Sequence, residues 1–229
     1  MPIDTERPAE RAERAYVSLR AAIIEGALTP RTKLGEESLA SHYGVSRTLI
    51  RNVLSRLVGE GLVDTGRGKS AEVAEPTLDE ARDAFAVRAA LEREAIDVLA
   101  GCWTPAIAAR LNAHIDAERV AWSSKNAKAS ARLGGQFHIE LAAATGNALL
   151  HRYVSEVVSR TALILTVYGR DIDQQSSIDE HQQLVDLLAA GDRDGAHRLA
   201  MSHLGEVERK TLRAPQSDAR SLAMILAQY

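Results

Sequence analysis

The chain has 229 residues, 45% of them hydrophobic, which is enough to fill one large core or two ordinary ones and excludes a disordered tail or a disulfide miniprotein. Its 28 Lys/Arg and 31 Asp/Glu leave a formal net charge of -3, which by itself disfavours a uniformly basic nucleic-acid binder. Cys102 is the only cysteine, so no intramolecular disulfide can form, and residues 1–25 lack the continuous apolar run of a secretory signal or membrane anchor; both point to a cytoplasmic protein.

Net charge averages over parts with different jobs. Between residues 44 and 70 five basic side chains (Arg47, Arg51, Arg56, Arg67, Lys69) face two acidic ones (Glu60, Asp64), a local excess of the kind that phosphate neutralisation needs. In chain order, Ala12, Tyr16, Leu19, Ile23 and Ile24 recur at three- and four-residue steps and predict a helix from Pro8 to Glu25. A short helix from Glu36 to Tyr43 follows, closed by Gly44 in a left-handed conformation. Ser46 then caps a third helix that buries Leu49 or Ile50 with Val53, Leu54 and Leu57, leaving Arg47, Thr48, Arg51, Asn52 and Ser55 outward. Residues 62–65 and 71–73, joined by Gly66-Arg67-Gly68-Lys69, read as a hairpin. Three helices and a hairpin give the order of a winged helix-turn-helix.

Pro76 and Thr77 mark a hinge, after which every segment to Leu212 has helical character. Breaks near 101–104, 123–126, 146–147, 169–175 and 191–192 divide it into about six helices, a bundle with its own core. The expected fold is therefore mainly α, with residues 1–75 a winged helix-turn-helix, 76–213 a helical effector-binding and dimerisation domain, and 214–229 a tail able to form a short helix.

A recognition helix enters the major groove by its N-terminal end, so its first turn must be basic or hydrogen-bonding. Arg47 and Arg51 lie one turn apart on one face and meet that demand, although solvated helix charges would look the same in isolation. The surrounding stretches Gly26-Ala27-Leu28-Thr29-Pro30-Arg31, Leu34 to Ala40, Gly44 to Arg51 and Gly59 to Val63 follow one another as they do in the GntR family, whose DNA-binding domain residues 19–73 resemble. Arg31 stands where that family usually has Gly, and Leu49-Ile50 where Pro and an apolar residue are common. The resemblance implies operator DNA as partner, Ser46, Arg47, Thr48 and Arg51 as recognition-helix contacts, and Arg67-Gly68 as the wing tip.

His138, His181 and His203 each sit among apolar neighbours at helical spacing and are expected to point inward. A single buried histidine is ordinarily a hydrogen-bonded core residue, whereas three on different helices of a bundle can converge on a metal. The pieces Val87 to Glu92, Phe137 to Leu141 with Thr145-Gly146-Asn147, Glu180-His181 and Met201 to Leu204 resemble the FCD effector domain of the FadR subfamily across residues 77–212. In its metal-binding members the corresponding histidines, with an Asp one turn before the first, coordinate zinc, nickel or manganese. Here Gly134 takes that Asp position, followed by Gly135. Either three imidazoles keep the metal with the effector's carboxylate beside it, or the metal is lost and the widened cavity takes a larger effector directly.

Arg88 is a candidate anchor for a small carboxylate effector, with an ion pair to Glu92 or Glu94 as the alternative; Asn147 is a second effector candidate, and Gln136 and Tyr168 weaker ones. No His-Glu-x-x-His spacing or nucleophile grouping stands out, which disfavours a three-histidine metalloenzyme. The sequence expectation is thus a ligand-responsive homodimeric repressor or activator, without catalytic residues or a membrane partner; a purely structural DNA-binding protein is the remaining alternative.

Overall fold

A computed structural model of the chain describes residues 7–65, 70–169 and 173–213. The wing-tip residues Arg67 and Gly68 and the tail 214–229 lie outside the described residues.

The N-terminal unit is built from α1 (Pro8–Ile24), α2 (Glu36–Tyr43), α3 (Arg47–Gly59), β1 (Val63–Asp64) and β2 (Glu72–Val73). Each helix starts and stops for a local reason. Ser46 Oγ accepts from Leu49 N at 3.3 Å and starts α3, while Gly44, at φ +62°, ends α2 in the left-handed region. β1 and β2 pair antiparallel with Val63 opposite Val73 and Asp64 opposite Glu72, and Lys33 adds a bridge to Glu72. Arg31, where the resembled family usually has Gly, adopts φ +65°. A Cβ is disfavoured there, and Arg31 is held by its backbone N–H to Val73 O at 2.9 Å and by an ion pair with Glu75.

Six helices follow: α4 (Leu78–Cys102), α5 (Pro105–Ser123), α6 (Ala127–Ala144), α7 (Ala148–Tyr168), α8 (Gln174–Ala189) and α9 (Arg193–Leu212). Thr77 starts α4 through a capping box with Glu80, so the cap falls where expected. Ile96, Leu99, Leu111, Ile115, Phe137, Leu141, Ile178 and Leu184 close one core between α4, α5, α6 and α8. No helix among the described residues is long and apolar enough to cross a membrane.

The two units are seated on one another rather than merely tethered. Leu163 of α7 is fully buried in the N-terminal core with Ala15, Leu19, Ile23, Ile50 and Leu57. Around this contact Arg20 Nη2 donates to Ser159 Oγ at 2.6 Å, Thr166 Oγ1 donates to Ile24 O at 2.6 Å, and Arg132 pairs with Glu25 at 3.3 Å. Tyr168 Oη closes the hinge by donating to Pro76 O at 2.7 Å.

Leu57 is fully buried on the inner face of α3. Leu57→Ala is expected to remove about 2–5 kcal/mol of stability through lost burial and a residual cavity, read as a lower thermal-unfolding midpoint; an unchanged midpoint would contradict this packing.

Candidate functional site

On the outer face of the N-terminal unit Arg47, Thr48 and Arg51 are exposed at the start of α3 while Ile50, Val53 and Leu54 are buried behind them. The sequence expectation faces both arginines outward, with solvated helix charges as the alternative. The structure instead gives them a common partner, Glu36 at the start of α2: Arg51 Nε donates to Glu36 Oε1 at 2.9 Å and Arg47 Nη2 approaches Glu36 Oε2 at 3.4 Å. The Arg51 hydrogen bond leads in holding the Glu36 carboxyl below its ordinary range. With its Nε engaged, Arg51 retains its two terminal nitrogens for an outward partner.

Inside the bundle His138 of α6, His181 of α8 and His203 of α9 are buried and each offers a ring nitrogen within 4.8 Å of the others. Their ring centroids lie 5.1–5.5 Å apart. Each ring is oriented by a carboxylate at Nδ1: Glu92 Oε2 at 2.8 Å from His138, Glu118 Oε2 at 3.1 Å from His181, and Glu180 Oε2 at 2.6 Å from His203. A carboxylate that takes Nδ1–H leaves Nε2 as the unprotonated, ligating nitrogen, the arrangement usual behind metal-bound imidazoles. His181 Nε2 is buried and has no hydrogen-bond partner among the described residues. That orphaned atom, and a donor set of three imidazoles, fit a divalent cation of borderline softness.

Protonation states agree with this. Burial pushes His138 down to about 3 against the pull of Glu92, and pushes His181 well below the ordinary histidine range, so both rings are neutral near pH 7. Burial opposes a charge on Glu92 too, but His138 and the permanently charged Arg88 against it hold its carboxyl below the usual range. Burial raises Glu118 to about 7. Its ionised form accepts Nδ1–H from His181, and its second oxygen, Oε1, has no hydrogen-bond partner among the described residues.

These rings form one wall of a cavity of about 420 Å³ that also takes in Gly134 and Gly135 of α6, Val158, Ala162 and Leu165 of α7, Gln174 and Ser177 of α8, and Ile24 at the end of α1 with the Glu25 that follows it. A Cβ on Gly134 would lie 3.7 Å from Glu118 Oε2 and 3.9 Å from His181 Cε1. The space left by the expected Asp therefore opens directly beside the imidazoles.

Arg88 lines this cavity, but its charge is already met: Nε donates to Glu92 Oε1 at 2.6 Å and Nη1 to Thr161 Oγ1 at 3.1 Å. The ion-pair alternative holds, with Glu92 rather than Glu94. Asn147 is not brought to the cavity, and the expected effector contact is replaced by helix capping, since its Oδ1 accepts from Leu149 N and Leu150 N. Gln136 and Tyr168 likewise spend their polar groups elsewhere, on Glu140 and Pro76 O. Sequence reading missed Glu118 and Glu180. Glu180 precedes His181 but serves His203, and Glu118 lies 63 positions from the ring it orients, with no local signal.

A winged helix-turn-helix seated on a helical bundle with an internal, histidine-walled cavity is the architecture of a DNA-binding regulator. Residues 11–73 match the gntR family of bacterial regulatory proteins and residues 83–206 match the FCD domain. The chain belongs to the GntR family, in the branch carrying an FCD domain, and is a DNA-binding transcription regulator rather than an enzyme. It is 42% identical over 84 residues to the uncharacterized HTH-type transcriptional regulator BphR of Paraburkholderia xenovorans (strain LB400), a match spanning 37% of this chain and 34% of that protein. It is 26% identical over 206 residues to the HTH-type transcriptional regulator LutR of Bacillus subtilis (strain 168), covering 81% of this chain and 94% of that one. A putative L-lactate dehydrogenase operon regulatory protein of Escherichia coli (strain K12) is also 26% identical, with 93% and 91% covered. In fold the chain is similar to E. coli McbR/YncC (TM-score 0.74, 19% identity, 86% of this chain and 94% of that one). It is also similar to a putative GntR regulator of Rhodococcus sp. RHA1 (TM-score 0.75, 22% identity, 89% and 98%).

Glu92→Gln strips the buried Arg88 of its counter-charge and is expected to cost about 3–5 kcal/mol, whereas Arg88→Met with Glu92→Met should recover much of that loss. Urea unfolding of the two variants checks the order, and equal stability of Glu92→Gln and the unaltered chain would contradict the pairing.

Proposed function

We propose that this regulator's affinity for operator DNA is set by a small carboxylate effector bound in the cavity beside a divalent ion, zinc, nickel or manganese, held by His138, His181 and His203. The observation that carries the reading is the convergence of three carboxylate-oriented imidazoles on one cavity whose wall includes Ile24 and Glu25 of the DNA-binding unit. A divalent ion there supplies positive charge and open coordination positions for a carboxylate oxygen. The chain's own residues keep His138 and His181 neutral and fix the orientation of all three rings. A relative named as regulating an L-lactate dehydrogenase operon supports small organic acids as the effector class.

On the DNA side Ser46, Arg47, Thr48 and Arg51 contact the operator, with Arg67 and Gly68 at the wing tip, and a cytoplasmic homodimer presents two recognition helices to half-sites about one helical turn apart. Residues 1–75 carry this role and 76–213 carry ligand binding and dimerisation. An effector changes operator affinity to the extent that it binds the DNA-competent and incompetent arrangements differently. Because α1 both packs on α3 and walls the cavity, the two sites share one rigid element.

Titration with zinc, nickel and manganese after chelator treatment should give one ion per chain, and His138→Ala with His203→Ala should lower affinity for it by two orders of magnitude or more, a scale of about 10–100-fold per removed support. Equal binding by that variant would refute the site. On DNA recovered by selection from a random duplex pool, Arg47→Ala and Arg51→Ala should each weaken binding, by about 1–3 kcal/mol if the side chain reads a base and with a salt slope smaller by about one if it neutralises a phosphate. Unchanged affinity and slope in both would refute the contact surface.

A further inference from the structure

Along α6 the cavity is lined in turn by Lys128, Ala131, Arg132, Gly134, Gly135 and His138. At the rise of an α-helix Arg132 stands roughly 9 Å, and Lys128 roughly 15 Å, from His138 along the axis. Between the imidazoles and these cations the helix is bare, because Gly134 and Gly135 carry no side chain. A Cβ on either would meet its nearest atoms only at 3.7 Å, so the glycines are not forced by close packing and leave a trough instead. Two consecutive glycines cost a helix roughly 1 kcal/mol each relative to alanine. Apolar Ala131, Val158, Ala162 and Leu165 flank the trough.

The two cations at its outer end are poorly satisfied. Lys128 has no ion-pair partner among the described residues, and Arg132 holds only Glu25, at 3.3 Å with the guanidinium side chain 41% exposed. Arg88, by contrast, is fully engaged deep in the wall. An acid that used the imidazole end alone would leave the trough and both cations unused.

We infer that the effector is an elongated acid with a second anionic group: one end lies at His138, His181 and His203, an apolar body lies over Gly134 and Gly135, and the far anion is taken by Lys128 and Arg132. This deepens the effector reading above and rests on it. Arg132 must then turn from Glu25, the residue that ends α1, toward the ligand, so the far anion competes with a contact to the DNA-binding unit.

The test uses the full chain, zinc-loaded and chelator-treated, with two probe series, the linear dicarboxylates from malonate to suberate and the monocarboxylates of equal carbon number, followed by calorimetry. The expected result is that the longer diacids bind about tenfold or more tighter than the matched monoacids, and that Lys128→Gln with Arg132→Gln removes the difference while leaving monoacid binding unchanged. Lys128→Gln alone, which breaks no ion pair among the described residues, should remove part of it. Monoacids and diacids binding alike, or a preference indifferent to both substitutions, would overturn the inference while leaving the effector cavity standing. Failure of every acid to bind would overturn the effector reading as well.

Discussion

Three carboxylates, Glu92 and Glu118 buried and Glu180 half-buried, held against three buried imidazoles are the constraint on which the bundle's interior depends. Glu92, Glu118 and Glu180 come from α4, α5 and α8, and they face rings on α6, α8 and α9, so five of the six helices are tied at one point. Buried charges of this kind are costly and persist only where they are paired. Glu92 satisfies Arg88 with one oxygen and His138 with the other, which neutralises a guanidinium that would otherwise be stranded in the wall. The result is a polar centre inside an apolar bundle, and a set of ring nitrogens whose direction is fixed before any ligand arrives.

The same economy links the centre to the DNA-binding unit. α7 runs past the cavity with Val158, Ala162 and Leu165 and, on its other side, buries Leu163 in the core of α1 and α3. α1 in turn brings Ile24 and Glu25 to the cavity and packs against the helix that carries Arg47 and Arg51. On the proposed function, a change in the cavity that favours one seating of α1 would reach the recognition helix through two packed helices, with no need for a mobile linker.

Much of this fold was legible because its signals are local. Ser46, Thr77 and Gly44 act on the residues next to them, so caps and stops fell where the sequence placed them. The three histidines were legible for the same reason, each on an apolar helical stripe. What escaped is pairing across helices. Glu118 reaches His181 from another helix, and Glu36 gathers Arg47 and Arg51 across the turn between α2 and α3; neither spacing marks itself in one dimension. Asn147 misled because a polar residue after a glycine reads equally as a ligand contact or a cap, and the backbone amides of α7 claim it. Gly134, conspicuous as a missing carboxylate, gains its meaning only from Gly135 and the cations beyond it.

X-ray absorption at the zinc edge, on the full chain reconstituted with one equivalent of zinc, tests the histidine centre most directly. Imidazole nitrogens at about 2.0–2.1 Å, three per ion with the outer-ring scattering of histidine and the remaining positions filled by oxygen, are the predicted result. Sulfur scattering from the exposed Cys102, or a zinc environment without imidazole, would contradict the account.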